Sequence, residues 1–274
     1  MCEKIRKYPV VSSFLTVLTA FALLKGMPGS GRAAEIIKLA VLSAAMLYIM
    51  YLASRKEIFR WEKGSLGKSI RLYKSMLIIS FIIVAFTIIG HLADPSEMVR
   101  KDCWIGLLTL IPHTLLIGLF EESAFRGVLM GGILAQTDGS RKGVFLALTV
   151  SGLVFGFLHV ILNITFNMSA AEVIQAVSKT LETGMMGFVI GAVYLVTKNI
   201  WAAAILHGGV DYALMAIAEI FGQELNGYVD AESNLGSAGI QAFIVIGIKI
   251  IPMIAAIRIV NKMSLPQRGM WKET

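Results

Sequence analysis

Hydrophobic residues in this chain fall in long, nearly unbroken runs, unlike the alternation of a half-buried strand or the single stripe of a surface helix. Bounded by charge, glycine or proline, the runs are Val10 to Leu24, Ile36 to Ala53, Met76 to Ala93, Trp104 to Ala135, Val144 to Phe166, Val173 to Val196, Ile200 to Phe221 and Ile240 to Val260. A bilayer crossing takes roughly 20 mostly apolar residues. The pattern therefore predicts an all-α polytopic membrane protein with eight transmembrane helices. No internal repeat, low-complexity stretch or domain-length linker interrupts it, so residues 1–274 are read as a single transmembrane domain.

Composition agrees. Only 16% of the 274 residues are charged and 56% are apolar, with a mean hydropathy of +0.74, against about 25% charged in soluble domains. A soluble enzyme is excluded. The fourth run is too long for one simple crossing, because roughly 32 residues at 1.5 Å each reach about 48 Å. Pro112 is the expected site of a break or kink, which puts Phe120 to Arg126 at membrane depth or near the cytoplasmic boundary.

The net charge of +7 reports topology and not a nucleic-acid partner, because the basic residues sit in short groups beside the apolar runs. The loop after the second run carries Arg55, Lys56, Arg60, Lys63, Lys68, Arg71 and Lys74 against Glu57 and Glu62, and is read as cytoplasmic. Alternation then puts both termini inside, with Lys4, Arg6 and Lys7 at one end and Arg258, Lys262, Arg268 and Lys272 at the other, and puts Glu224, Asp230 and Glu232 outside. Lys25, Arg32 and Lys38 in the first outer loop run against this pattern. The first apolar run ends in Leu-Leu-Lys-Gly-Met-Pro without an A-x-A-like site, so no cleavable signal peptide is expected. Cys2 and Cys103 suit neither a metal motif nor a disulfide framework. The expected location is a multi-pass protein of a prokaryotic plasma membrane.

Ionisable groups inside a bilayer cost at least about 2.5 kcal/mol each on insertion scales, which makes them functional candidates. They form three clusters. In Glu121-Glu122-Ser123-Ala124-Phe125-Arg126, helical spacing pairs Glu122 with Arg126 and turns Glu121 about 100° away from that pair. A carboxylate left without a local counter-ion is suited to general-base chemistry. Helix capping or a snorkelled salt bridge are the plain alternatives. His159 follows Phe155 in the fifth run, where a lone His is as readily a packing residue. In the seventh, His207 and Asp211 stack on one face, which is a recurrent catalytic and metal-site device and also a possible packing hydrogen bond. Packing has no need of three such clusters on three spans, and convergence on one polar pocket is the economical account. His91 and His113 lack acidic residues at helical spacing and are read as structural or interfacial.

In order and on separate spans, these residues give Glu-Glu-x-x-x-Arg (Glu121, Glu122, Arg126), Phe-x-x-x-His (Phe155, His159) and His-x-x-x-Asp (His207, Asp211). The set resembles the signature of the CAAX protease and bacteriocin-processing (CPBP, Abi) family, which includes the CAAX prenyl endopeptidase of the Ras-converting type. The resemblance covers about residues 115–212. It implies that Glu121 and His159 position and deprotonate a water, that His207 and Asp211 stabilise the oxyanion, and that Glu122 and Arg126 hold the site together. The prenyl-endopeptidase branch has Asn where this chain has Asp211. An ionised Asp accepts but does not donate, so orienting His207 fits Asp211 better than donating to the oxyanion.

Glu121, His159 and His207 also form a His2Glu set of the kind that holds catalytic Zn2+. With Glu121 as a ligand, Glu122 would have to be the base, and no His-Glu-x-x-His is present. Metal-dependent and metal-free schemes both remain open, and the metal-free one is preferred. The expected activity is glutamate- and histidine-dependent hydrolysis of a peptide bond in a membrane-associated peptide or protein, in a cavity open to the cytoplasmic side. A non-enzymatic membrane scaffold or bacteriocin-immunity factor is the alternative. A transporter is less suited, lacking an inverted repeat or paired broken helices. Asn163 lies four residues after His159 and is expected on the same helix face, where it could orient the ring. Glu172, Lys179 and Glu182 stand at helical spacing in the sixth run and are read as mutual salt bridges.

Overall fold

The computed structural model describes residues 7–53, 59, 61–94, 98–222, 229 and 233–265. Cys2, Lys4, Arg6, Arg55, Lys56, Glu57, Arg60, Glu224, Asp230, Glu232, Arg268 and Lys272 lie outside these. The described part is all-α, and eight helices are long and apolar enough to cross a membrane. They are α1 (Pro9–Gly26), α2 (Arg32–Leu52), α3 (Ser65–Ala93), α4 (Cys103–Glu122), α5 (Arg141–Val160), α6 (Ala170–Thr197), α7 (Ile200–Phe221) and α8 (Leu235–Lys262). The α4 span continues through a π-helical segment, Ser123–Met130, and a last α-turn, Gly131–Leu134.

Three features of the spans differ from the sequence reading for a physical reason. The α3 helix starts at Ser65, ahead of its apolar run, because a membrane helix extends through a polar interface that hydropathy does not register. Helix α5 stops at Val160, before the expected Phe166, and a 3-10 turn, Ile161–Asn163, follows. Asn163 is therefore not on the next turn of the helix that carries His159. In the fourth span the α-helix passes through Pro112 without a break, and the departure from α geometry comes at Ser123. The π form adds a residue to each backbone ring and is most often found as a local widening at functional sites.

Side-chain caps set the start of several helices. Ser140 accepts from the Gly143 amide, Asn234 from that of Ser237, and Ser169 and Glu172 form a reciprocal capping box. Glu172 thus caps α6 instead of joining a salt bridge with Lys179. Asn199 does two things: its Oδ1 accepts from the Ala202 amide at 3.0 Å and its Nδ2 donates to Ser65 Oγ at 2.7 Å, tying the start of α7 to the start of α3.

The central packing joins α4 to α7, α5 to α6, and α6 to α8. Small residues allow the close crossings, as they do where apolar burial gives helices no drive to associate in lipid. A Cβ on Gly118 would meet the Ala204 carbonyl, one on Gly208 the Thr114 carbonyl, and one on Gly156 the Thr180 carbonyl. These crossings bring the backbones of α4 and α7, and of α5 and α6, together at the level of the three motifs. Outward-facing positions such as Phe81, Phe86, Ile240 and Phe243 are apolar and exposed, as a lipid-facing surface requires.

Two of the three cations that disturbed the charge pattern, Arg32 and Lys38, are held by contacts within the protein. Arg32 pairs with Glu219 and donates to the Gly106 carbonyl and Thr109 hydroxyl, while the buried Lys38 donates to the Gly29 carbonyl at 2.7 Å. His113 faces Glu35 on α2 at 3.1 Å and His91 stacks on Phe221, so both act between helices. Cys103 is a free thiol.

Candidate active site

The site is built outward from Arg126. This side chain is 1% exposed, a position no guanidinium holds without partners. Its Nε lies 3.0 Å from Glu122 Oε2, its Nη2 donates to the Gly187 carbonyl at 3.0 Å, and its plane sits over the Phe155 ring at 4.8 Å. The expected Glu122–Arg126 pair is present. Glu122 is wholly buried and its other oxygen, Oε1, accepts from His207 Nδ1 at 2.7 Å. A single carboxylate therefore joins the first motif to the third.

With Nδ1 committed to Glu122, His207 presents Nε2 to the two remaining acids. Nε2 lies 3.4 Å from Glu121 Oε2 and 3.5 Å from Asp211 Oδ2. The second motif closes the arrangement from the other side. His159 Nδ1 lies 2.8 Å from the Phe155 carbonyl one turn back, which assigns the proton to Nδ1 and leaves Nε2 as an acceptor. That Nε2 is 3.9 Å from Glu121 Oε1. Glu121 thus stands between the two imidazoles, one carboxylate oxygen toward each. Phe155 supports both rings edge-on, with centroids 4.5 Å from His159 and 5.7 Å from His207.

Accessibility divides the cluster. The side chains of Glu122, Arg126 and His207 are 0–2% exposed, whereas Glu121 is 12%, His159 18% and Asp211 22% exposed. The first group is a buried frame, and the second is the face a reactant meets. All seven residues of the three motifs, Phe155 included, come together. Asn163, in the 3-10 turn, is not what orients His159; the Phe155 carbonyl does this.

The frame also contains features invisible to motif reading. The Glu122–His207 bond spans 85 residues, and the Gly187 carbonyl and the Ser151 hydroxyl, which donates to the Phe125 carbonyl at 3.0 Å, carry no sequence signal. Lys249 on α8 is buried, with Nζ 3.6 Å from Glu182 and 3.7 Å from Met76 Sδ, and Lys179 shares the same Glu182 at 3.2 Å. The expected Lys179–Glu182 bridge is present, with a third member from a different helix.

Glu121, His159 and His207 were the candidates for Zn2+. Among the described residues no three His, Cys, Asp or Glu side chains are grouped as a metal-binding site.

Residues 103–213 match the family model described as type II CAAX prenyl endopeptidase Rce1-like. Over this stretch the chain is similar to that family. No curated protein and no solved structure matches the chain. The Rce1-like segment runs from the start of α4 to two residues past Asp211 and takes in every residue of the three motifs. It bears out the resemblance read from those motifs, at the level of the family and over this stretch.

Proposed function

We propose that the protein is an intramembrane endopeptidase whose reacting groups are Glu121 and His159, framed by Glu122, Arg126 and His207. The observation that carries this reading is the position of Glu121 between His159 Nε2 and His207 Nε2, at 3.9 and 3.4 Å. A water held between Glu121 and His159 loses a proton to them and attacks the scissile carbonyl carbon. The C–N bond then breaks and the proton returns to the leaving amine. In its doubly protonated form His207 donates from Nε2 to the developing oxyanion, its Nδ1–H held by Glu122, in surroundings where exclusion of water strengthens the interaction. Asp211, an acceptor, orients this ring instead of donating to the oxyanion.

The proposed substrate is a peptide or protein associated with the membrane, reaching the site from the cytoplasmic side. Both termini are proposed to be cytoplasmic, from the Lys and Arg bias of the loops, and the setting is a prokaryotic plasma membrane. The test is cleavage of a fluorogenic peptide panel by the reconstituted protein and by Glu121→Ala. Cleavage confined to wild type supports the reading. A folded Glu121→Ala protein indistinguishable from wild type on every peptide would leave a non-enzymatic scaffold or immunity factor as the better account.

A further inference from the structure

Several hydroxyls in the spans bond to their own helix. Thr16, Thr87, Thr180 and Thr197 each donate to the carbonyl four residues back, at 2.7, 2.9, 2.8 and 2.9 Å, the usual local outlet for such a group. Ser151 on α5 does not. It is 3% exposed, and its hydroxyl crosses to another element, donating to the Phe125 carbonyl in the π-helical segment at 3.0 Å. Ser151 belongs to none of the three motifs. A buried hydroxyl that passes over its own helix to reach a carbonyl 26 residues away joins two elements, and the peptide it holds is the one that leads into Arg126.

The bond starts a line of contacts that ends at the reacting groups. Ser151, Phe155 and His159 are four residues apart and share one face of α5. One turn beyond Ser151, the Phe155 ring meets that of Phe125 edge-on at 4.8 Å and lies under the Arg126 guanidinium at 4.8 Å. One turn further, His159 stands against Phe155 at 4.5 Å, with its Nε2 3.9 Å from Glu121 Oε1. Successive turns of α5 therefore hold Phe125 and Arg126, and Glu121 lies four residues before Phe125 on the same continuous span. The glycine crossings of α5, Gly152 with Gly184 and Gly156 with Thr180, are with α6 and not with the π segment. In lipid, where apolar burial gives helices little drive to associate, interhelical hydrogen bonds take over part of that role. A slide of α5 by one residue would carry His159 about 1.5 Å, against a separation of 3.9 Å from Glu121.

We propose that Ser151 is a positioning residue of the active site, whose hydrogen bond to the Phe125 carbonyl sets the register of α5 on the π segment and thereby the spacing of His159 from Glu121. Too buried to meet a substrate, it acts through the two elements it lines up. A hydroxyl suits the task because it is short and neutral. It reaches a carbonyl across a close helix contact and brings no charge to a site that already holds Glu121, Glu122, Arg126 and Asp211. It also gives the π form, a feature often found at functional sites, an anchor outside its own span.

The kinetic arm of the test rests on the peptidase reading, and the spectroscopic arm does not. Ser151→Ala removes one oxygen, with thermal unfolding to check the fold. The control is Ser178→Ala, which removes a buried hydroxyl that bonds within its own helix, to the Gln175 carbonyl. In 15N-histidine-labelled protein, the Nδ1–H resonance of His159, assigned by its loss in His159→Gln, shifts in Ser151→Ala and stays in place in Ser178→Ala. Ser151→Thr, which keeps the hydroxyl, holds that resonance at its wild-type position. In Ser151→Ala kcat falls by about fivefold, the size of one neutral hydrogen bond, with KM unchanged. If the resonance is the same in Ser151→Ala as in wild type, or shifts as far in Ser178→Ala, the proposal is overturned, whether or not any peptide is cleaved. A Ser151→Thr resonance displaced as far as that of Ser151→Ala, or a loss seen in KM alone, overturns it too. If Ser151→Ala does not fold, Ser151→Cys, a weaker donor, takes its place, and a resonance at the wild-type position there overturns the proposal. A shifted resonance in a protein that cleaves nothing keeps Ser151 in its place and counts against the peptidase reading.

Discussion

Glu122 Oε1 and His207 Nδ1 stand 2.7 Å apart, a buried contact joined across 85 residues of sequence. On its other side Glu122 holds Arg126 at 3.0 Å. This one side chain therefore partners a buried cation and holds the His207 imidazole.

Removing its charge leaves Arg126 buried without a counter-ion. Breaking such a pair from one side costs about 3–5 kcal/mol, so Glu122→Gln is expected to unfold at markedly lower denaturant or temperature than wild type. The paired change Glu122→Gln with Arg126→Met removes the stranded charge and is expected to recover part of that loss. A double variant as unstable as the single one would show that the ion pair is not what Glu122 contributes to stability.

The glycine crossings offer a sharper contrast. A Cβ on Gly208 meets the Thr114 carbonyl, while one on Gly209 meets nothing within 4 Å. Gly208→Ala is expected to push α7 from α4, costing about 1–3 kcal/mol and moving His207 away from Glu122. Gly209→Ala is expected to be close to neutral. Thermal unfolding of the two proteins side by side decides this, and equal effects would refute the close crossing.

Lys249 and Lys179 share Glu182. Replacing Lys249 by Met leaves a complete Lys179–Glu182 pair, whereas Glu182→Gln leaves two cations around a neutral amide. The acid substitution is expected to be the more destabilising by at least about 1 kcal/mol. The reverse order would show that Lys249 is held by something other than Glu182.

These relationships mark where the sequence was legible and where it was not. Long apolar runs determined the eight spans, because membrane crossing constrains length and composition directly. Spacing within a helix was equally informative: Glu122 and Arg126 pair, and His207 faces Asp211, as four-residue separations require. Contacts between helices left no such trace. Glu122 was assigned to Arg126 but not to His207, Lys249 was not associated with Glu182, and His113 was read without its acidic partner Glu35 on another helix. Nor does hydropathy register hydrogen-bonding geometry. The π segment at Ser123 and the end of α5 at Val160 are backbone choices, so Pro112 drew the attention that Ser123 required and Asn163 was placed one turn too far along a helix that had already ended.

Metal removal separates the two chemistries that the motifs allow. With Glu121 and His159 sharing the water, peptide cleavage by the reconstituted protein is expected to persist after prolonged chelation and extensive washing. Loss of activity on chelation with recovery on adding Zn2+ would assign Glu121, His159 and His207 to a metal instead.

The central claim is that Glu121, set between two imidazoles, activates the attacking water. Its most direct test is single-turnover cleavage of a membrane-anchored peptide by wild type and by Glu121→Gln, with products identified by mass spectrometry and folding checked by thermal unfolding. The substitution keeps the shape and removes the base. A drop of about 10²–10⁴-fold in the rate of bond cleavage, the range for loss of a positioned general base, is the expected result. A folded Glu121→Gln protein that cleaves at the wild-type rate would contradict the account.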